Sequence, residues 1–281
     1  MLGSDESTRV ILLIAKHPSE APARRVLAMA KRLDKPVVAG FLGLFPEDSA
    51  DGNLHIVQTL EDAGRIAAAL AAARPLPRPQ TALPPMLARL AKNTAARLSR
   101  RQRYVRGLFS GGTFCYEAQI LIERELGAVW SNAPIDPAYE LPDAWHSQEH
   151  TILDLGAAAF TRGRPHPMID LRLRLDRMYE EMLDPETAVI LMDLVLGYGA
   201  HPDPAPQIAE KLAEARRLVK GASTEAAVVA SICGTEGDPQ GLKKQTKALR
   251  QADVLLAPSN AAAARLAAAI VRHRHLVGEA I

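Results

Sequence analysis

The chain has 281 residues, 48% of them hydrophobic and only 4% aromatic, enough for one large core or two modest ones built mainly from Ala, Val, Leu and Ile. A formal net charge of +2 argues against a dedicated nucleic-acid protein, and no apolar run approaches the ~20 residues of a membrane span. Cys115 and Cys233 are far apart, form no metal or redox motif and read as reduced thiols, so the expectation is a cytoplasmic protein with no metal, no membrane contact and no nucleic-acid partner.

In chain order, Arg9 to Ala15 has the composition of a buried strand. Ser19 is placed to cap a helix over Glu20 to Leu33, and Lys35-Pro36 restarts the chain into a second strand, Val37 to Leu42. Strand, helix and strand in this order predict a right-handed βαβ unit with parallel strands. An Ala-rich helix, Glu61 to Ala73, closes the region. Residues 1–73 thus read as a partial domain whose opening edge looks cut, since no strand and helix precede the first strand.

Residues 74–103 read as a Pro-rich basic linker and helix. Five prolines lie between Arg74 and Pro85, and nine Lys or Arg residues fall between Arg74 and Arg106 with no Asp or Glu. A solvated basic face is the simpler account; a docking surface for phosphates or a partner subunit is the alternative. No aromatic residue interleaves before Tyr104, as a nucleic-acid groove would require.

Residues 104–281 carry about five strands alternating with helices. Tyr104 to Phe109 is a strand that runs into Ser110-Gly111-Gly112-Thr113 and a helix from Phe114 to Leu126. Small residues between strand and helix let backbone N–H groups face an anion, aided by the helix dipole; a plain tight turn is the alternative. Short strand signals at Ala128–Trp130 and Thr151–Leu155 frame an acidic excursion, Asp136 to Glu149. Then Arg162, Arg164 and His166 crowd into five residues stiffened by Pro165 and Pro167, a cationic group suited to a carboxylate or phosphate, or else partners for Asp154 or Asp170. Ala188 to Leu196 is nearly all apolar, as a central parallel strand covered on both faces must be, and its lone acid, Asp193, needs a buried partner. Its loop holds Gly197, Gly199, His201 and Asp203. The last two could orient each other for proton transfer or form a helix start with a packed histidine.

A helix over Gln207 to Lys220, a strand over Ala226 to Ile232, a helix over Leu242 to Gln251, a strand over Val254 to Ala257 and a helix from Asn260 complete the pattern. The loop Thr235-Glu236-Gly237-Asp238 follows a strand, and Cys233 reads as a small core residue because no histidine is near it in sequence. The basic Arg272 to His275 reads as a solvated helix end. In a flavodoxin-like strand order, the loops at Ser110–Thr113 and Gly197–Asp203 flank the point where the order reverses, and Thr235–Asp238 approaches from the next strand.

The strings G-L-F-S-G-G-T-F-C-Y-E-A from Gly107, G-R-P-H-P-M-I-D from Gly163, G-Y-G-A-H-P-D-P from Gly197 and G-T-E-G-D-P-Q from Gly234 closely resemble the FdrA family of acyl-CoA-synthetase-like proteins, relatives of succinyl-CoA synthetase. I-A-K-H-P-S-E and K-P-V-V-A-G-F-L-G fit as well, so the resemblance covers nearly the whole chain. It implies an α/β fold of tandem flavodoxin-like, succinyl-CoA synthetase-type parallel-sheet domains, the first incomplete. Ser110 to Thr113 then looks like one of two phosphate-binding turns. The other turn and a CoA-binding Rossmann domain are expected ahead of Met1, so CoA or a nucleotide would be bound mainly by that portion or by a partner subunit. The Gly-His-Ala-Gly type string that carries the phosphohistidine of succinyl-CoA synthetase does not appear after Gly43, and His55 lacks that setting.

The function so implied is acyl or carbamoyl transfer through an acyl phosphate, as in an oxamate carbamoyltransferase subunit of purine nitrogen catabolism. Ser110, Gly111, Gly112, Thr113, Arg162, Arg164, Asp203, Thr235 and Glu236 would hold a small anionic substrate, with His166 and His201 handling a proton. The chain would work in a hetero- or homo-oligomer. The other reading is a non-catalytic, partner-binding subunit or relic of such an enzyme.

Overall fold

The computed structural model describes residues 1–219 and 225–279, apart from the side chains of 276–279. The chain forms two compact units, Met1–Ala82 and Leu83–Ile281.

The first unit contains β1 (Ile11–Lys16), α1 (Glu20–Ala30), β2 (Val37–Leu42), β3 (Ser49–Asp51), β4 (Leu54–Ile56) and α2 (Leu60–Ala71). Its sheet has the order β1-β2-β4-β3, with β1, β2 and β4 parallel and β3 antiparallel to β4. Helix α1 buries Ala23, Leu27 and Ala30, a stripe of spacing four and three, against Ile11, Val37, Ala39 and Phe41. It ends before the expected Leu33, where Arg32 and Leu33 donate to carbonyls three residues back, ahead of Lys35-Pro36. Ser19 stands at its start without a side-chain cap, whereas Thr59 does cap α2, accepting the Asp62 N–H at 3.1 Å. The β3–β4 hairpin, turned at Gly52 with φ +60°, is too short for hydrophobic alternation to reveal.

The second unit holds α3 (Pro85–Ala95), β5 (Tyr104–Phe109), α4 (Gly112–Leu126), β6 (Thr151–Asp154), the short α5 (Ala158–Thr161), α6 (Arg172–Leu183), β7 (Thr187–Val195), α7 (Pro204–Val219), β8 (Ala227–Cys233), α8 (Leu242–Gln251), β9 (Leu255–Ala257) and α9 (Asn260–Glu279). Its sheet order is β6-β5-β7-β8-β9, parallel throughout, which is the flavodoxin-like order expected from the strand pattern. Strand β7 lies at its centre, buried on both faces from Thr187 to Leu194. Trp130 contributes only an isolated bridge to Thr151, and Lys220, where α7 was expected to end, lies outside the described residues.

Helices α3, α4 and α9 cover one face of the sheet; α6, α7 and α8 cover the other. Small residues along α9, among them Ala261–Ala264 and Ala267–Ala269, let it lie close against β7 and β8. The two units divide after Ala82, not at residue 104 where the sequence reading opens its second domain. Leu87, Ala91 and Ala95 form one buried stripe on α3 that packs on α9, so this helix belongs to the second unit. The tail of α9 is corrected too: Arg274 is buried and donates to the Ser99 carbonyl at 2.7 Å, while Arg272 pairs with Glu125. Helix α6 escapes a reading by hydrophobic periodicity because its buried stripe carries Arg174, Arg177 and Glu181 beside Met178 and Met182. Among the described residues no helix is long and apolar enough to cross a membrane.

Candidate functional site at the carboxyl edge of the second sheet

Because β5, β6, β7 and β8 are parallel, their carboxyl ends share one edge, and the strand order reverses between β5 and β7. Strand β5 ends at Phe109, and the chain turns through buried Ser110 and extended Gly111 into α4. The N-cap, Gly111, offers no side chain to cap this helix, so its leading N–H groups, with the positive end of the helix dipole, face whatever sits at the turn.

The turn is anchored from beneath. Asp193 of β7, fully buried, accepts the Ser110 N–H at 2.9 Å and also the Ser110 hydroxyl. Arg174 of α6, itself 2% exposed, donates to the Asp193 carboxylate at 2.8 Å and to the Leu108 carbonyl at 3.1 Å. The ion pair neutralises a carboxylate that could not otherwise sit in an apolar strand, and it fixes the residues on either side of Phe109. Asp193 is therefore a satisfied structural acid.

His166 reaches this turn through a bare α-carbon. A β-carbon at Gly156, just after β6, would lie 2.7 Å from His166 Nε2, 2.7 Å from the Ser110 carbonyl oxygen and 3.1 Å from Asp154 Oδ1. Three loops thus converge on one point that only glycine leaves open. The Met168 N–H donates to His166 Nδ1 at 3.3 Å, which leaves Nε2 as the nitrogen turned toward Ser110. His201 is tied to the same loop, its backbone N–H donating to the Met168 carbonyl at 2.7 Å.

Two buried glutamines hold the His201 loop. Gln240 donates to the carbonyls of Gly197 (2.7 Å) and His201 (3.1 Å) and accepts the Gly197 N–H at 3.0 Å. Gln245 accepts the Ala205 N–H at 2.9 Å and donates to Asp203 Oδ1 at 2.7 Å. Gln240 closes the G-T-E-G-D-P-Q string and could have been weighed from it; Gln245 and Arg174 carry no local signal.

Other expected site residues stand elsewhere. The Asp203 carboxylate bonds Gln245 and Lys244, and these bonds hold its pKa below the usual carboxylate range; only its backbone N–H meets His201, at Nδ1 and 3.1 Å. It is a clamp onto α8. Thr235 and Asp238 close on each other, and exposed Glu236 faces Lys243 at 3.8 Å. Arg164 lies over the Trp145 ring, 5.5 Å from its centroid, and Arg162 is exposed at the end of α5. Cys233 is exposed as a residue, not part of the core, while partial desolvation of its thiol, with Asp193 and Asp238 beside it, raises its pKa and makes it a poor nucleophile at neutral pH. Among the described residues, no group of three or more His, Cys, Asp or Glu side chains is placed to hold a metal ion.

Residues 108–270, which include the turn, the β6 loop and the β7 loop, match the model of the CoA-ligase family. The chain belongs to the CoA-ligase family. The uncharacterized protein YahF of Escherichia coli (strain K12) is 38% identical over 260 residues, 92% of this chain and 50% of YahF. The crystal structure of PH0766 from Pyrococcus horikoshii OT3 aligns with 99% of this chain and 55% of that one, at 14% identity and a TM-score of 0.38. This CoA-ligase chain therefore spans about half the length of the relatives it matches. CoA is the cofactor the family name implies. The surface grooves of 370 to 550 Å³ in the second unit are lined by α6, by α8 and by the amino ends of β8 and β9, not by the Ser110 turn. None of these four grooves includes Ser110 to Thr113, so they do not give the turn a channel of the length of CoA.

Proposed function

We propose that this CoA-ligase family chain is FdrA-type and takes part in acyl or carbamoyl transfer through an acyl phosphate, with the phosphoryl group at the Ser110–Thr113 turn. The observation that carries the reading is the convergence at Gly156 of the Ser110 turn and His166 Nε2. The uncapped N–H groups of α4 would bind the phosphoryl oxygens and stabilise charge gathering there as the carbonyl carbon–oxygen bond breaks. His166 would take the proton of the incoming nucleophile, and His201, clipped to the same loop, would set the second wall. Of the anion-holding residues, Ser110 through Thr113 keep that role. Arg162, Arg164, Asp203, Thr235 and Glu236 would contribute at most to a wider field.

The test is stabilisation by inorganic phosphate and carbamoyl phosphate. At 100 times its dissociation constant a ligand adds about 2.7 kcal/mol of stability. Gly112→Pro is the informative variant. Position 112 is the first helical residue and follows extended Gly111, so proline is tolerated there while one N–H donor is deleted. A shift in wild type that Gly112→Pro reduces supports the reading; no shift with either ligand ends it. The position of Arg164 over Trp145 favours the second reading, a partner-binding subunit that does not turn over by itself, and absence of ligand stabilisation would move the weight there.

A further inference from the structure

The acid-free basic stretch between Arg74 and Arg106 has so far met no function, and the second unit gives one of its arginines a cavity. At the amino edge of the second sheet, the carboxyl ends of α3, α7 and α8 meet the starts of β8 and β9 around a space of about 550 Å³. Small-molecule sites typically span roughly 300–1,000 Å³. Three guanidinium groups line it: Arg97 just past α3, Arg216 in the last turn of α7 and Arg250 in the last turn of α8.

Cations at the carboxyl ends of helices have an ordinary role, which is to answer the dipole and the open carbonyls there. Arg216 plays that role, donating to the Ala252 carbonyl at the end of α8 at 2.6 Å and pairing with Glu225 at 2.7 Å. Arg97 and Arg250 do not. Among the described residues, neither side chain makes an ion pair or a hydrogen bond. The acids of the lining are Glu225, which Arg216 already holds, and Asp253, so three cations against two carboxylates leave one positive charge. The rest of the lining is apolar, with Leu98 and Leu255 half-buried and Val228 and Val254 buried. A planar guanidinium fork receives a carboxylate or a phosphate through two parallel hydrogen bonds, and the apolar wall suits a hydrocarbon body behind that head.

We infer that this cavity is a second ligand site, which takes a small organic anion with its carboxylate or phosphate head at Arg97 and Arg250 and its apolar body against Leu98 and Leu255. Because the strands are parallel, the site and the Ser110 turn stand at opposite edges of one sheet, and the inference is independent of any activity at the turn.

The test is an NMR titration of the 281-residue chain with phenyl phosphate, benzoate, phenol and inorganic phosphate. Phenyl phosphate or benzoate should saturably shift the amides of Val228 and Leu255 and the Nε–H resonances of Arg97 and Arg250; the tighter of the two names the head group. Phenol, without the charge, and inorganic phosphate, without the body, should each bind at least tenfold more weakly. Arg97→Gln with Arg250→Gln should weaken the organic anion at least tenfold, while Gly112→Pro should leave its affinity unchanged. Both arginines are exposed, so the double variant should keep its thermal transition; should it unfold, the Nε–H shifts of the wild type decide alone. No saturable shift at this edge with either organic anion overturns the inference, as does equal affinity in the double variant. Inorganic phosphate binding as tightly as phenyl phosphate overturns the role given to the apolar wall. Shifts confined to Gly111–Thr113 also overturn the inference, and place the anion at the opposite edge.

Discussion

Asp193 carries a charge that its apolar strand tolerates only because Arg174 answers it. Removing one partner leaves the other buried and uncompensated, a cost of about 3–5 kcal/mol. Asp193→Ala and Arg174→Met should each lower stability in urea by that order. The double variant should lose less than the sum, because no unpaired charge remains. An additive result would mean that the two side chains do not act as a pair. Gly156 makes a second residue-scale prediction. A methyl group there meets the Ser110 carbonyl at 2.7 Å, which is backbone and cannot swing aside. Gly156→Ala should therefore cost about 1–3 kcal/mol and shift the histidine ring resonances of His166 in an NMR spectrum. An unperturbed His166 spectrum would show that the convergence is looser than the geometry indicates.

At the scale of elements, the start of β5 is held by a neutral imidazole. His150 Nδ1 accepts the Val105 N–H at 3.1 Å, and its ring meets Tyr104 edge-on. Burial, then Arg106 and His275, push the His150 pKa down from 6.5 to about 4. A histidine depressed in the folded state contributes stability that is fully present above 6.5 and is lost as pH falls toward 4, because the unfolded chain binds the proton first. The loss should reach about 3 kcal/mol, and His150→Gln should flatten the dependence between pH 6.5 and 4 in a denaturation series. Strands β7 and β8 were legible in the sequence because a strand covered on both faces is almost entirely apolar, Asp193 being the one acid of β7, and the flavodoxin-like order followed from the strand pattern. Helix α6 was not, since its inward stripe pairs charges that a periodicity reading counts as outward. The place of the Ser110 turn could be read because small residues sit where β5 passes into α4, whereas those residues alone do not tell an anion site from a tight turn. Arg162 and Arg164 could not, because cationic density says nothing of direction, and Trp145 takes one of the two guanidinium groups.

At the scale of the molecule, the two units have separate cores. The clusters around Val37 and Val38 in the first share no residue with those around Val189 and Ile190 in the second. The segment between Arg74 and Leu83 carries no helix or strand, so the cut that separates two foldable pieces should lie there. Where it falls is decided by α3, because Leu87, Ala91 and Ala95 cover α9. A fragment of residues 83–281 should keep a cooperative thermal transition within a few degrees of the corresponding transition of the whole chain. A fragment of residues 104–281, cut at the boundary suggested by the proline-rich stretch, strips α9 of this cover. Burial of Leu87 alone is worth about 2 kcal/mol, and the two alanines and the helix contacts add to it. Its transition should fall by several degrees and bind a dye for exposed apolar surface. Equal transitions for the two fragments in scanning calorimetry would return α3 to the linker; a lower one for the shorter fragment makes it part of the second core.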